Sequence, residues 1–202
     1  MLEIPARYIF LVSIMNEFLD VLTVIVVGLA ALIDARSRRI PNRLTLTVVA
    51  AVFIGGFLFF AVQGNWQGGW EWLQFSAKGW LVGIGIFLIP FMLGGMGGGD
   101  VKLLGAIGAF KGVGFVIETA LFGALWGGVL ALLAILYKKR PDMLRRFGFG
   151  LKLFAVTGGQ AGKEFILPAE NVNEREKLYV PYGVAIFLGV LTVYFAGVKL
   201  PL

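Results

Sequence analysis

From Val101 to Tyr137 the chain runs for thirty-seven residues with three charged side chains, Lys102, Lys111 and Glu118. At the rise of an α-helix this stretch would measure about 55 Å, against about 30 Å for the hydrocarbon core of a bilayer. A run this apolar belongs in a membrane, and one this long must turn there. Lys111-Gly112 is the interruption at which it can do so. The spacing predicts a short helix over about Val101 to Phe110 and a longer one from Val113 to Tyr137. Four more apolar runs flank the pair. They cover Phe18 to Leu32 or Asp34 (extended upstream over Tyr8 to Met15), Leu44 to Val62, Gly79 to Gly94, and Val180 to Val198. The expected fold is an all-α polytopic membrane protein of about six transmembrane helices in a single domain, 1–202. Composition agrees: 58% of residues are hydrophobic and 15% charged, where a soluble domain has about 45–50% and about 25%.

Charge sets the orientation. Six crossings put Arg36, Arg38, Arg39, Arg43, Lys102 and the basic residues between Lys138 and Lys177 on one side, and Arg7, Lys78, Lys111 and Lys199 on the other. The richer side is cytoplasmic by the positive-inside rule, which leaves both termini outside. These cations are read as topology determinants rather than a nucleic-acid surface. Merging the fourth and fifth helices would send the basic loop 138–178 outward, so they are kept apart. Within that loop, Met143, Leu144, Phe147, Leu151 and Phe154 recur at helical spacing against Arg145, Arg146 and Lys152, which suits a short surface helix as well as a plain basic loop. Asn65 to Lys78, with Trp66, Trp70 and Trp72, reads as an outer interfacial belt. Glu3, Glu17 and Asp20 interrupt any cleavable signal pattern at the start.

The missing residue types prune the chemistry. The chain has no His and no Cys, and serine occurs at Ser13, Ser37 and Ser76 alone. That removes Ser-His and Cys-His dyads, HExxH zinc sites and Cys-ligated clusters. Carboxylates remain, and near apolar spans they are costly enough to require a reason. Glu17, Asp20 and Glu118 fall at outer helix ends, where a carboxylate reaches water. Asp34 closes the first helix on the inner side and Asp100 opens the fourth on the same side, so the two share a depth. A pair of carboxyls sharing one proton is the minimal apparatus of an aspartic protease: one takes a proton from water while its partner hydrogen-bonds the scissile carbonyl. Such a pair titrates as a unit, because like charges this close do not both ionise easily. It needs no metal and no cofactor. The glycines from Gly94 to Gly99 before Asp100 free the backbone for positive φ and for close approach of an extended peptide.

These residues resemble the type IV prepilin peptidases, membrane aspartic proteases of the GxGD class. Asp34 stands in DARSRRIPN, like the family's first aspartate with its downstream Ile40-Pro41-Asn42. Gly97-Gly98-Gly99-Asp100 followed by Lys102 fits the GxGD-x-K signature of the second, and Pro181-Tyr182-Gly183 is similar to the family's Pro-Phe/Tyr-Gly element. The resemblance implies that Asp34 and Asp100 are catalytic. Gly97, Gly98, Gly99, Lys102, Pro41, Asn42, Pro181, Tyr182 and Gly183 would bind substrate or support the site. It implies prepilin-like substrates with a short basic leader, a place in the cytoplasmic (inner) membrane, and an active site near the cytoplasmic face. The zinc-binding CxxC pairs of the bifunctional members are absent, so the resemblance is to the short form, similar to Tad/Flp-type and preflagellin peptidases, without N-methylation.

Several roles stay open at this point. Lys102 could favour an ionised aspartate, hold a substrate carbonyl or snorkel to the surface. The arginines from Arg36 to Arg43 could meet an acidic substrate residue while Glu170, Glu174 and Glu176 meet the leader. Two other classes use paired membrane acids. A lipoprotein signal peptidase would hold them near the outer face, and a cation or proton transporter would show repeats and a midplane site.

Overall fold

The computed structural model describes residues 6–37, 39–93, 96–137 and 181–197, with side chains from residue 13 onward. Among them the chain is helical throughout. The helices are α1 (Ala6–Ser37), α2 (Asn42–Val62), α3 (Trp66–Met92), α4 (Gly98–Tyr137) and α5 (Tyr182–Ala196). Helices α1 to α4 are each long and apolar enough to cross a membrane, and α5 is a shorter apolar helix. Two compact units result. One comprises Met1–Leu125 with Pro181–Leu202, and the other Trp126–Val180. In the second, the described residues are the last three turns of α4, with Leu132, Leu133 and Leu136 exposed as a lipid-facing helix requires. The expected surface helix over 143–154 and the loop acids Glu170, Glu174 and Glu176 lie outside the described residues.

The turn expected at Lys111-Gly112 exists as a break inside α4. Gly112 has φ 78° and ψ −174°, a backbone conformation that side chains with a Cβ avoid. A Cβ there would also run into the Phe75 ring. The break separates a first limb, 98–111, from a second, 113–137.

Polarity in the first unit is inverted relative to a soluble protein. On α1, Ile14, Phe18, Val21, Ile25, Leu29 and Leu32 are exposed at spacings of three and four, while Thr23, Val27, Ala30 and Asp34 are buried on the other face. Lipid is as apolar as leucine, so helices in a membrane associate through close packing rather than through escape from water. Small residues make this possible. A Cβ on Gly79 would strike the Gly108 carbonyl oxygen and one on Gly108 would strike that of Gly79, while Gly83 lies against Leu104 and Gly105. Helix α3 and the first limb of α4 therefore run antiparallel, nearly backbone to backbone. On the other flank, Gly189 meets Thr119 and Gly123 of the second limb, and Gly28 of α1 meets Phe187. Leu103, Leu104, Ile107, Val116, Ile186 and Val190 fill the space between them and are fully buried.

Helix α3 begins thirteen residues before the expected Gly79. The supposed belt is its first three turns, started by Asn65, whose Oδ1 accepts from the Gly68 N–H at 2.8 Å. Trp66 and Trp70 are exposed as a belt requires, but Trp72 is buried, donating its indole N–H to the Val52 carbonyl at 3.0 Å over the gap left by Gly56.

Candidate active site

All five helices send residues to one end of the first unit. Asp34 occupies the last turn of α1 and is 4% exposed. Its Oδ2 accepts the backbone N–H of Gly183 at 2.9 Å. That donor is one of the orphan N–H groups at the start of α5. Pro181 occupies the cap position with no side-chain hydrogen bond of its own, so a carboxylate from another helix supplies the cap, where the helix dipole favours an anion. Gly183 makes room for it, since a Cβ there would sit 3.0 Å from the Asp34 Cβ and Oδ2.

Asp100 is the third residue of α4 and is 8% exposed. Its Oδ2 accepts the Gly97 N–H at 3.3 Å while its own N–H donates to the Gly97 carbonyl at 3.1 Å. This is the reciprocal bonding of a helix start in which the third residue reaches back to the cap. The Asp34 and Asp100 carboxyls lie close enough to feel each other's charge, and the Tyr182 hydroxyl feels that of Asp100. The Tyr182 ring meets Phe87 of α3 edge-on at 5.7 Å between centroids. Residues sixty-six positions apart in sequence are thus both buried at the same end of the unit.

The remaining expected residues gather around this pair. Lys102 donates from Nζ to the Asn42 Oδ1 at 2.8 Å, tying the start of α2 to the start of α4. This exposed bond to Asn42 is a fourth arrangement beside the three roles open to Lys102 and selects none of them. Pro41 caps α2 through its carbonyl, which accepts from the Leu44 N–H at 3.1 Å. Beside it Ile40 is buried against Gly99, where a Cβ would come within 3.0 Å of the Ile40 Cβ.

Two expectations are corrected here. Gly97, Gly98 and Gly99 do not have positive φ, since among the described residues only Gly64, Gly112 and Gly197 do. The strip opens a helix, and its glycines admit this chain's own groups: the Asp100 carboxylate at Gly97, the Phe91 ring at Gly98 and Ile40 at Gly99. Asp20 and Glu118 are likewise not simple boundary acids. Glu118 is 5% exposed. Asp20 forms an ion pair with Lys111 and accepts a hydrogen bond from the Tyr194 hydroxyl at 3.0 Å. The break in α4 brings Lys111 to Asp20. Only Glu17 is exposed as expected. Arg36, Arg39 and Arg43 are exposed near the Asp34 end, and Arg38 lies outside the described residues.

Sequence reasoning missed Ile40 as a packing partner of the glycine strip, and Phe87 and Phe91, which wall the site from the end of α3. Their signal was present in the helical spacing of the two phenylalanines just before the strip.

Residues 21–132, more than half of the chain, match the type IV leader peptidase family. The chain belongs to that family. Asp34, Pro41, Asn42, Asp100 and Lys102 all fall within the match, and Pro181 to Gly183 lie beyond it. A type IV leader peptidase-like protease, built as a multi-pass membrane protein and directed at pilin-like substrates, is thus the coarse function. No curated protein and no solved structure matches the chain.

Proposed function

We propose that the protein is an aspartic endopeptidase that removes the short basic leader from type IV prepilin-like precursors at the cytoplasmic face of the inner membrane, with Asp34 and Asp100 as its catalytic pair. The observation that carries this reading is the meeting of two buried carboxyls from α1 and α4 at one end of the unit, inside the family-matched stretch. One carboxylate takes a proton from water as the water oxygen bonds to the scissile carbonyl carbon. The protonated partner donates to the carbonyl oxygen, giving a tetrahedral diol. Collapse breaks the C–N bond, the leaving amine nitrogen takes a proton, and the pair again holds one proton. The six-crossing topology expected from the charge distribution, with both termini outside, supports a cytoplasmic position for this end, where the leader is found. Gly97, exposed beside Asp100, leaves backbone open for an extended peptide, and Lys102, held by Asn42, stands at its edge. The zero cysteine count supports a peptidase without methyltransferase activity.

The test is co-expression with a candidate prepilin and a gel assay of leader removal. Asp34→Asn and Asp100→Asn are each expected to abolish cleavage while the protein accumulates normally in the membrane. Full processing by either variant would sink the assignment.

A further inference from the structure

A second charged cluster joins three of these helices about three to four turns away from the site: midway along α1, at the end of the first limb of α4 and near the end of α5. Asp20 of α1 pairs with Lys111 of α4 and accepts from the Tyr194 hydroxyl of α5. The Lys111 ammonium also lies 5.6 Å from the centroid of the Phe115 ring and 6.0 Å from that of Tyr194, so a carboxylate and two aromatic rings surround it. Lys111 directly precedes the break at Gly112, which the Phe75 ring fills, so its backbone position is set on both sides. The register is informative. Asp20 and Asp34 are fourteen residues apart on α1, Asp100 and Lys111 eleven apart on α4, and Gly183 and Tyr194 eleven apart on α5. Each helix thus touches both the candidate site and the cluster, over about 16–21 Å of continuous helix.

We propose that the Asp20–Lys111 ion pair, braced by Tyr194, is a positioning device: it sets the relation of α1 to α4 and through it the spacing of Asp34 and Asp100. The proposal rests on the peptidase reading given above. A helix transmits a displacement at one end to the other with little loss, and a shift of about 1 Å in reacting groups can cost on the order of a hundredfold in rate. The pair is suited to the task because it is made of opposite charges, partly buried, and linked across 91 residues of sequence.

The test separates positioning from mere stability. Lys111→Met alone leaves the partly exposed Asp20 carboxylate without its cation, so a modest loss of stability is expected. The double variant Asp20→Asn/Lys111→Met removes both charges and with them that penalty. It is expected to accumulate normally yet cleave prepilin with kcat lowered about tenfold and KM unchanged, the pattern of disturbed reaction geometry. Lys111→Arg, which keeps the charge, is expected to retain the wild-type kcat. The native chain has no cysteine, so the pair Ser37→Cys/Lys102→Cys, one on the last turn of α1 and one on the first turns of α4, supplies an activity-independent readout: its rate of bridging by a short bifunctional thiol reagent reports the spacing of α1 and α4 beside Asp34 and Asp100. That rate is expected to change severalfold when the double variant is added. A wild-type value in either measurement for the double variant overturns the proposal. Failure of the peptidase reading shows elsewhere, as unimpaired cleavage by Asp34→Asn.

Discussion

Midway along α1, Asp20 is met by a lysine and a tyrosine hydroxyl; in the last turn, Asp34 is met by a second acid and by the backbone of α5. The first arrangement balances its charge within the protein. Its side chains keep some solvent contact, 20% for Lys111 and 39% for Asp20, and the result resembles an ordinary partly screened ion pair with added aromatic cover. The second leaves two acids in one buried place, an arrangement that gains nothing electrostatically unless a proton is shared. The same helices therefore carry one cluster that holds them together and one that works against them. The buried pair is held in place by the structure around it, through the Gly183 N–H on Asp34 and the Gly97 N–H on Asp100.

This contrast is open to direct attack, because removing a charge should have opposite consequences at the two clusters. The largest effect is expected from Asp34→Asn, which keeps an oxygen to accept the Gly183 N–H but loses the acid: cleavage should fall by about 10³-fold or more, with the thermal midpoint in detergent unchanged or slightly raised because a like-charge contact is gone. A clear drop in the midpoint would break the comparison. Gly183→Ala presses a methyl toward the Asp34 carboxyl without touching any charge, and a loss of about tenfold in kcat is expected from displacement alone. Beside the other cluster, Gly112→Ala imposes a left-handed backbone on a residue with a Cβ and drives it into Phe75. Thermal unfolding should register a cost of about 1–3 kcal/mol from the backbone, plus the clash. Smallest is Tyr194→Phe, which removes one hydrogen bond from Asp20. About 1 kcal/mol of stability is expected to go, with cleavage kept within twofold.

The residues that gather at the candidate site were legible because they are rare types in local motifs. An aspartate at the end of one apolar run and another at the start of a later run announce themselves in a chain without His or Cys, and Pro181-Tyr182-Gly183 marks a helix start by proline's fixed φ. The break at Gly112 was legible from length. The early start of α3 was not, because Trp66 to Lys78 has the polar and aromatic composition of a membrane interface; the cap at Asn65, which decides the matter, is a single residue among several that could serve. The pairing of Asp20 with Lys111 was hidden for another reason. Each looks like a boundary charge by itself, and only the antiparallel packing of α3 on the first limb, through Gly79 and Gly108, settles where Lys111 comes to rest. The roles first given to the glycines failed in the same way. Close approach was foreseen, but the approaching groups, Ile40, Phe91 and the Asp100 carboxylate, belong to the chain itself.

The short first limb of α4 also bears on the lipid. Asp100 and Lys111 are separated by about 16 Å of helix and Asp34 and Asp20 by about 21 Å, whereas an undisturbed hydrocarbon layer is about 30 Å thick. The two charged clusters cannot both rest at opposite surfaces of such a layer. Either the bilayer thins around this part of the protein or water descends to meet one of them. A protease that must bring water to its scissile bond gains from both outcomes, since each shortens the distance the water has to travel.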